Sequence, residues 1–347
     1  MSETVGPVLE SRSVAEIPQP PGLVIGVDVG ATKIAAGLVD GHGNILGQTR
    51  LAMVSNGTAC AGLNAVVSAI DSLSTRCTPD PRTNGLLRGI GICAPGPLDP
   101  KSGVIVNPPN LPCWRNFALA DEVANIYRVP VRVENDANAA ALAEAQWGAG
   151  RGYANVFYAT IGTGIGTGIV LDGRIYHGRT GAAAEGGHVS VDYRGARCGC
   201  GKRGCIEVFA SGPAIARRAR TKLTEGGNRR SAVLELANGD IEAVTSETIG
   251  QAYEEGDPLA TEVLEETTVF LAHWLGNIVD FLEPDVMVIG GGVALMLSRF
   301  FDEIKNQLPG CCVNSRCQEI PLVMARYGAD AGVAGAGALW ATVNNTP

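Results

Sequence analysis

Three cysteines, Cys198, Cys200 and Cys205, stand within the stretch CGCGKRGC, and His188 precedes the first of them by ten positions. Three thiolates and one imidazole make a tetrahedral zinc shell. Four protein ligands leave no open position for water, so zinc held here is structural rather than a Lewis acid. The spacing departs from the usual CxxC knuckle. The same loop, 185–207, carries Glu185 just before His188 and Glu207 just after Cys205. Carboxylates on a rigid loop can accept paired hydrogen bonds from neighbouring sugar hydroxyls. The plainer alternative is that both are surface acids on a metal knuckle.

A second constellation is VRVENDANAAALAEA, 131–145. A strand ends at Glu134 and an alanine-rich helix begins near Asp136. Aspartate at a helix start is an ordinary N-cap. Strand ends facing a cleft are also where α/β proteins place chemistry. An aspartate there can take the proton of an alcohol that attacks a γ-phosphate, with Asn135 holding a neighbouring hydroxyl. Both readings of Asp136 are open at this point.

Glycine-rich turns supply the third signal. LVIGVDVGATKIAAGLVD, 23–40, reads as strand, turn and strand, and NVFYATIGTGIGTGIVLDG, 155–173, repeats that plan. In an ungapped register Gly30 meets Gly162, Asp40 meets Asp172 and Gly41 meets Gly173. The shared plan suggests a duplicated domain. Glycine lets backbone N–H groups approach a phosphate closely. Asp28 can orient a hydrated magnesium ion, while Thr32 and Lys33 can reach phosphate oxygens. A third loop, IGGGV at 289–293, follows a strand and opens a helix, which suits packing against a nucleotide. None of these loops has the spacing of a Walker P-loop or a dinucleotide fold.

These residues must be positioned by alternating strands and helices. Apolar stretches at 89–94, 131–134 and 286–289 predict buried strands, and helical patterns cover 58–75, 137–147, 259–282 and 331–343. The chain is therefore read as α/β, with two domains facing a cleft. Its 347 residues, 46% hydrophobic, suffice for that core. A formal net charge of −8 and a pI near 5.1 argue against a nucleic-acid partner. The basic cluster Arg217, Arg218 and Arg220 is expected to be a solvated helix face. The first 22 residues are proline-spaced and read as a flexible tail without an export signal. The longest apolar run, 286–297, is too short to span a bilayer. A cytoplasmic, reducing location follows, so the ten cysteines are expected as thiols or metal ligands, with Cys311 and Cys312 structural.

GVDVGATK, ICAPGPLD, NLPCW, ENDANAAALAE, GTGIGTGIV, AEGGH and CGCGKRGCIE occur in this order. Together they resemble the ROK family of sugar kinases and repressors over about 23–343, especially its bacterial ATP-dependent glucokinases. The resemblance implies an actin/hexokinase-like (ribonuclease H-like) duplicated two-domain fold with a cleft. The domains implied are 23–135 and 136–329, with a C-terminal helix, about 330–347, packed back on the first.

The resemblance also implies Asp136 as general base, and places Asn110, Asn135, Glu185, His188 and Glu207 on the sugar. His188, Cys198, Cys200 and Cys205 would hold zinc, with the other His188 ring nitrogen free for a sugar hydroxyl. Asp28, Gly30, Thr32, Lys33, Thr163 and Gly164 fall on the phosphate–magnesium side, and Gly291 and Gly292 near the adenosine. Two departures from the family pattern are Ala31 for a glycine and Gly186 for a frequent isoleucine, the latter expected to loosen its loop. The expected reaction is ATP-dependent phosphorylation of the 6-hydroxyl of a hexose, foremost glucose, by a homodimer or homotetramer. Kinases of N-acetylmannosamine, N-acetylglucosamine or fructose are alternatives within the family. A sugar-responsive repressor is the other class, but such proteins carry a helix-turn-helix segment ahead of the first hairpin.

Overall fold

A computed structural model describes residues 22–74, 87–225 and 230–341, so the expected N-terminal tail lies almost wholly outside the described residues. The strands, in chain order, are β1 (Leu23–Val29), β2 (Lys33–Val39), β3 (Ile45–Ala52), β4 (Leu87–Ala94), β5 (Leu98–Asp99), β6 (Val104–Ile105), β7 (Val131–Asn135), β8 (Asn155–Ile161), β9 (Ile165–Leu171), β10 (Arg174–Ile175), β11 (Val286–Gly290) and β12 (Leu322–Met324). They form two five-stranded sheets, ordered β3-β2-β1-β4-β7 and β10-β9-β8-β11-β12, plus the small pair β5-β6.

The two sheets repeat one topology. β1 pairs antiparallel with β2 and parallel with β4; β8 pairs antiparallel with β9 and parallel with β11. The repeat follows the register read from the sequence, with the glycine turns 30–32 and 162–164 in equivalent places. Each inner strand is almost continuously apolar, as expected when helices cover both faces of a sheet.

Two helices of small residues join the halves. Helix Ala331–Ala338 lies on the first sheet so closely that a Cβ at Gly26 would fall 2.2 Å from the Val333 carbonyl oxygen. At Gly91 the corresponding distance to the Ala336 carbonyl oxygen is 1.8 Å. Helix Asp136–Trp147 approaches β9 in the same manner, with a Cβ at Gly168 meeting the Ala137 carbonyl oxygen at 2.7 Å. The two helices touch where a Cβ at Gly335 would meet the Ala139 backbone at 2.5 Å. Any side chain at these glycines would force the backbones apart.

The helix expected over 331–343 is shorter than its apolar pattern. It ends at Ala338, and positions 342 and 343 lie outside the described residues. The other expected elements are found within one or two residues of their predicted ends, as Ala59–Ser74, Asp136–Trp147 and Pro258–Leu282 among the helices.

The basic cluster forms a solvated face only in part: Arg217 is exposed, whereas Arg218 and Arg220 are drawn partly inward. Arg218 is half-buried and donates to the carbonyls of Phe209 (2.9 Å) and Val263 (3.2 Å), with Glu266 at 3.1 Å. Arg220 donates to the Val244 carbonyl at 2.7 Å and Arg217 to that of Val208 at 2.6 Å. Long basic side chains here lie along apolar surface and tie helix Gly212–Glu225 to its neighbours. Among the described residues no helix is long and apolar enough to cross a membrane.

Candidate active site and metal centre

The metal centre assembles from a loop stitched to itself. His188 N donates to the Glu185 carbonyl at 3.0 Å, and Lys202 Nζ to the His188 carbonyl at 2.7 Å. Cys198 N donates to the Lys202 carbonyl and Ile206 N to that of Val189, both at 2.9 Å. The ligand atoms of His188, Cys198, Cys200 and Cys205 all lie within 4.8 Å of one another. Zinc–sulfur bonds of about 2.3 Å and zinc–nitrogen bonds of about 2.0 Å set tetrahedral edges near 3.8 Å (S···S) and 3.5 Å (S···N). Cys200 Sγ and Cys205 Sγ are 3.7 Å apart, and His188 Nδ1 and Cys198 Sγ 3.6 Å. The donor set and spacing therefore fit zinc. With Nδ1 turned to the thiols, His188 Nε2 is left for another partner.

The loop is tied to the second sheet through residues that no local pattern marks. Thr167 Oγ1 on β9 donates to the Ala184 carbonyl and accepts from Gly186 N at 2.7 Å. Trp274 Nε1, buried, donates to the Gly186 carbonyl at 3.0 Å. Gly186 therefore does not loosen the loop, since both its backbone groups are bonded and a Cβ would fall 2.7 Å from Thr167 Oγ1. Glu207 reaches across to the second glycine turn, where its Oε2 accepts from Ile165 N at 3.0 Å, with Cys198 Sγ 3.7 Å from Oε1. Glu185 is exposed and has no side-chain hydrogen bond among the described residues.

At the end of β7 the helix cap falls one residue earlier than the sequence suggests. Asn135 is the N-cap, its Oδ1 accepting from Ala137 N at 3.0 Å and Asn138 N at 3.2 Å. Asp136 is the first helical residue, and its Oδ1 accepts from Ala137 N at 2.8 Å. The cap is thus satisfied without Asp136, which remains exposed. Protein nonetheless surrounds it closely, and this desolvation is the main reason its carboxyl is pushed up to about 6. Negative charge on Asp28 and Glu185 acts in the same direction, so the three carboxyls share one region.

Asp28, on β1, is likewise held above its ordinary range by burial, partly offset by the Cys93 thiol, 3.4 Å from its Oδ1, and by Arg50. Asn110 is exposed in the turn before buried Leu111 and Trp114, which anchor that segment in the first core; its side chain has no hydrogen bond among the described residues.

The glycine turns occupy corresponding ends of β1 and β8. Gly30 N donates to the Lys33 carbonyl and Gly162 N to that of Gly164, both at 2.9 Å. Thr32, Lys33 and Thr163 are exposed beside them. Gly291 has a φ of 94° and lies against β8, where a Cβ would meet the Ile161 carbonyl oxygen at 2.3 Å. Gly292 has open space above it. Gly212 N donates to the Gly162 carbonyl at 2.8 Å, adding to this group a helix start that no sequence motif marks.

Comparison with known proteins bears on this arrangement. Residues 24–343 match the model of the ROK family. A glucokinase of Streptomyces coelicolor is 33% identical over 316 residues, covering 91% of this chain and 96% of that protein. The crystal structure of a ROK family glucokinase from Streptomyces griseus in complex with glucose and AMPPNP superposes with a TM-score of 0.75 at 34% identity, over 92% of this chain and 99% of that one. A ROK family transcriptional regulator, a homolog of the E. coli MLC protein, superposes with a TM-score of 0.79 at 26% identity, over 93% of this chain and 78% of that one.

Proposed function

The chain belongs to the ROK family, and from that premise we propose that it is a sugar kinase moving the γ-phosphoryl group of ATP to the 6-hydroxyl of a hexose, foremost glucose. One observation carries the reading. Asp136 stands exposed just past the end of β7, relieved of capping by Asn135, with its carboxyl near 6. Such a group is ionised at neutral pH yet still basic enough to accept a proton, which suits a general base.

In the reaction Asp136 takes the hydroxyl proton as the oxygen bonds to the γ-phosphorus, and the bond to the ADP oxygen breaks. Asn135 Nδ2, Glu185 and His188 Nε2 are the free polar groups that would hold the other hydroxyls, with Asn110 closing from the first half. Glu207, bonded to Ile165 N, links the sugar loop to the turn that would face the phosphates. Asp28, Gly30, Thr32, Lys33, Thr163 and Gly164 form the phosphate side, and Gly291 and Gly292 the nucleoside side. Magnesium bound with ATP would neutralise charge among Asp28, Asp136 and the phosphates. Zinc at His188, Cys198, Cys200 and Cys205 would fix the loop carrying Glu185.

The test is turnover with ATP across glucose, mannose, fructose, N-acetylglucosamine and N-acetylmannosamine. Glucose is expected to give the highest kcat/KM, and a preference for an N-acyl hexosamine would reassign the substrate. The likeness to a transcriptional regulator favours a second reading, a sugar-responsive repressor. Sequence-specific DNA binding without turnover on any sugar would establish that reading and remove the first.

A further inference from the structure

Glu134, two residues before the proposed base, is buried. Its Oε1 accepts from Asn135 N at 2.9 Å and from Asn138 Nδ2 at 3.2 Å. Its Oε2 lies 2.6 Å from His177 Nε2, and the two side chains are 5% and 34% exposed. A carboxylate so placed needs every lone pair engaged, because removing a partner leaves charge without compensation. His177 supplies that partner from the other half of the molecule. The bond to Glu134 is the chief reason its imidazole keeps a proton to higher pH than usual.

His177 also begins the segment that ends at Glu185. Ala183 N donates to the His177 carbonyl at 3.2 Å, closing the intervening turn, in which Gly178 and Gly181 have φ values of 66° and 88°. A Cβ at Gly181 would fall 3.1 Å from Pro100 Cδ, so the turn leans on the first half. Its far end is fastened to β9 through Thr167 and Ala184. The segment is thus held at two points, at Thr167 within its own half and at Glu134 across the cleft. Glu185 follows the first anchor, and Asp136 sits two residues from the second.

We infer that Glu134 and His177 are positioning residues, a strap across the two halves that sets the sugar-reading Glu185 in register with the base Asp136. This rests on the kinase reading above. In this role both act through Glu185 and Asp136, and not through contact with the sugar. Its consequence falls on sugar binding and the chemical step, and not on the nucleotide, whose glycine loops lie at other strand ends.

His177 lines a cavity of about 670 Å³ together with Lys101, Arg132 and Arg174, so a small molecule can replace its ring. In His177→Ala, kcat/KM for glucose should fall about 10- to 100-fold, the range for a lost charged hydrogen bond. The KM for ATP and the metal content should stay at the wild-type level, and added imidazole should restore part of the lost rate. His177→Gln, which keeps a donor, should lose less. Unchanged glucose kinetics in His177→Ala would overturn the strap. So would a loss that imidazole does not restore and that His177→Gln shares in full, together with lower Tm. An inactive wild-type chain would instead overturn the kinase reading, whereas an active wild type with indifferent variants sinks the strap alone.

Discussion

Asp136→Asn separates catalysis from folding, because the structure assigns the helix cap to its neighbour. Asn135 Oδ1 already receives Ala137 N and Asn138 N, so losing the Asp136 carboxylate leaves no capping donor stranded. The carboxyl is moreover held above its ordinary value, at about 6 against 3.8. A raised carboxyl pKa means that the native state binds the proton more tightly than the unfolded chain. Stability contributed by that proton is present at low pH and is lost as pH rises from about 4 to about 6. Above that window the ionised Asp136 destabilises the native fold. A shift of this size corresponds to roughly 3 kcal/mol if fully transmitted, and to about 1–2 kcal/mol for a side chain open to solvent on one side. Asparagine, never ionised, should recover that amount at pH 7–8 and none near pH 3. The expected variant therefore melts several degrees higher than wild type at neutral pH while its kcat falls by about 10²–10⁴. Scanning calorimetry at pH 3 and pH 7.5, beside a coupled assay of ADP release, measures both. Asp136→Asn with more than about a third of wild-type kcat would refute the base. A variant less stable than wild type at pH 7.5 would refute the electrostatic argument.

In wild type, kcat/KM should decline tenfold per pH unit below about 6, as the free enzyme's Asp136 protonates, and this acid limb should vanish in Asp136→Asn. The chain should hold about one zinc, and Cys198→Ser or prolonged chelation should remove it, raising the KM for sugar far more than that for ATP; a metal-free preparation with unaltered sugar KM would refute the loop-fixing role. Glu185→Ala should cost about 10- to 150-fold in kcat/KM for the sugar, read from initial rates, and unchanged rates would return Glu185 to an idle surface position. Gly91→Val should fail to fold or lose several kcal/mol in urea titration, since no relaxed backbone accommodates a Cβ 1.8 Å from the Ala336 carbonyl oxygen.

The linear sequence was sufficient wherever spacing itself is the physical constraint. Two hairpins with glycine turns repeat in one register because each strand–turn–strand unit is local, and the alternation of apolar runs already implies sheets covered on both faces. The cysteines and His188 lie in a segment short enough that few loop paths can separate them, so the ligand set was legible before its geometry. The stretch around Asn135 and Asp136 was legible only in outline. Which of two adjacent polar residues caps a helix depends on a single backbone turn, and that turn depends on where β7 ends in the sheet. Residues far apart in sequence were decided only by the fold. Arg218 resembles any surface arginine until helix packing brings the Phe209 and Val263 carbonyls to it. Residues 339–341 do not continue the helix that ends at Ala338, because an apolar run measures burial preference and not where a helix must stop. Glu134 and His177 carry no mutual signal along the chain, and become partners only because the cleft of a duplicated fold sets the end of β7 against a loop of the second half.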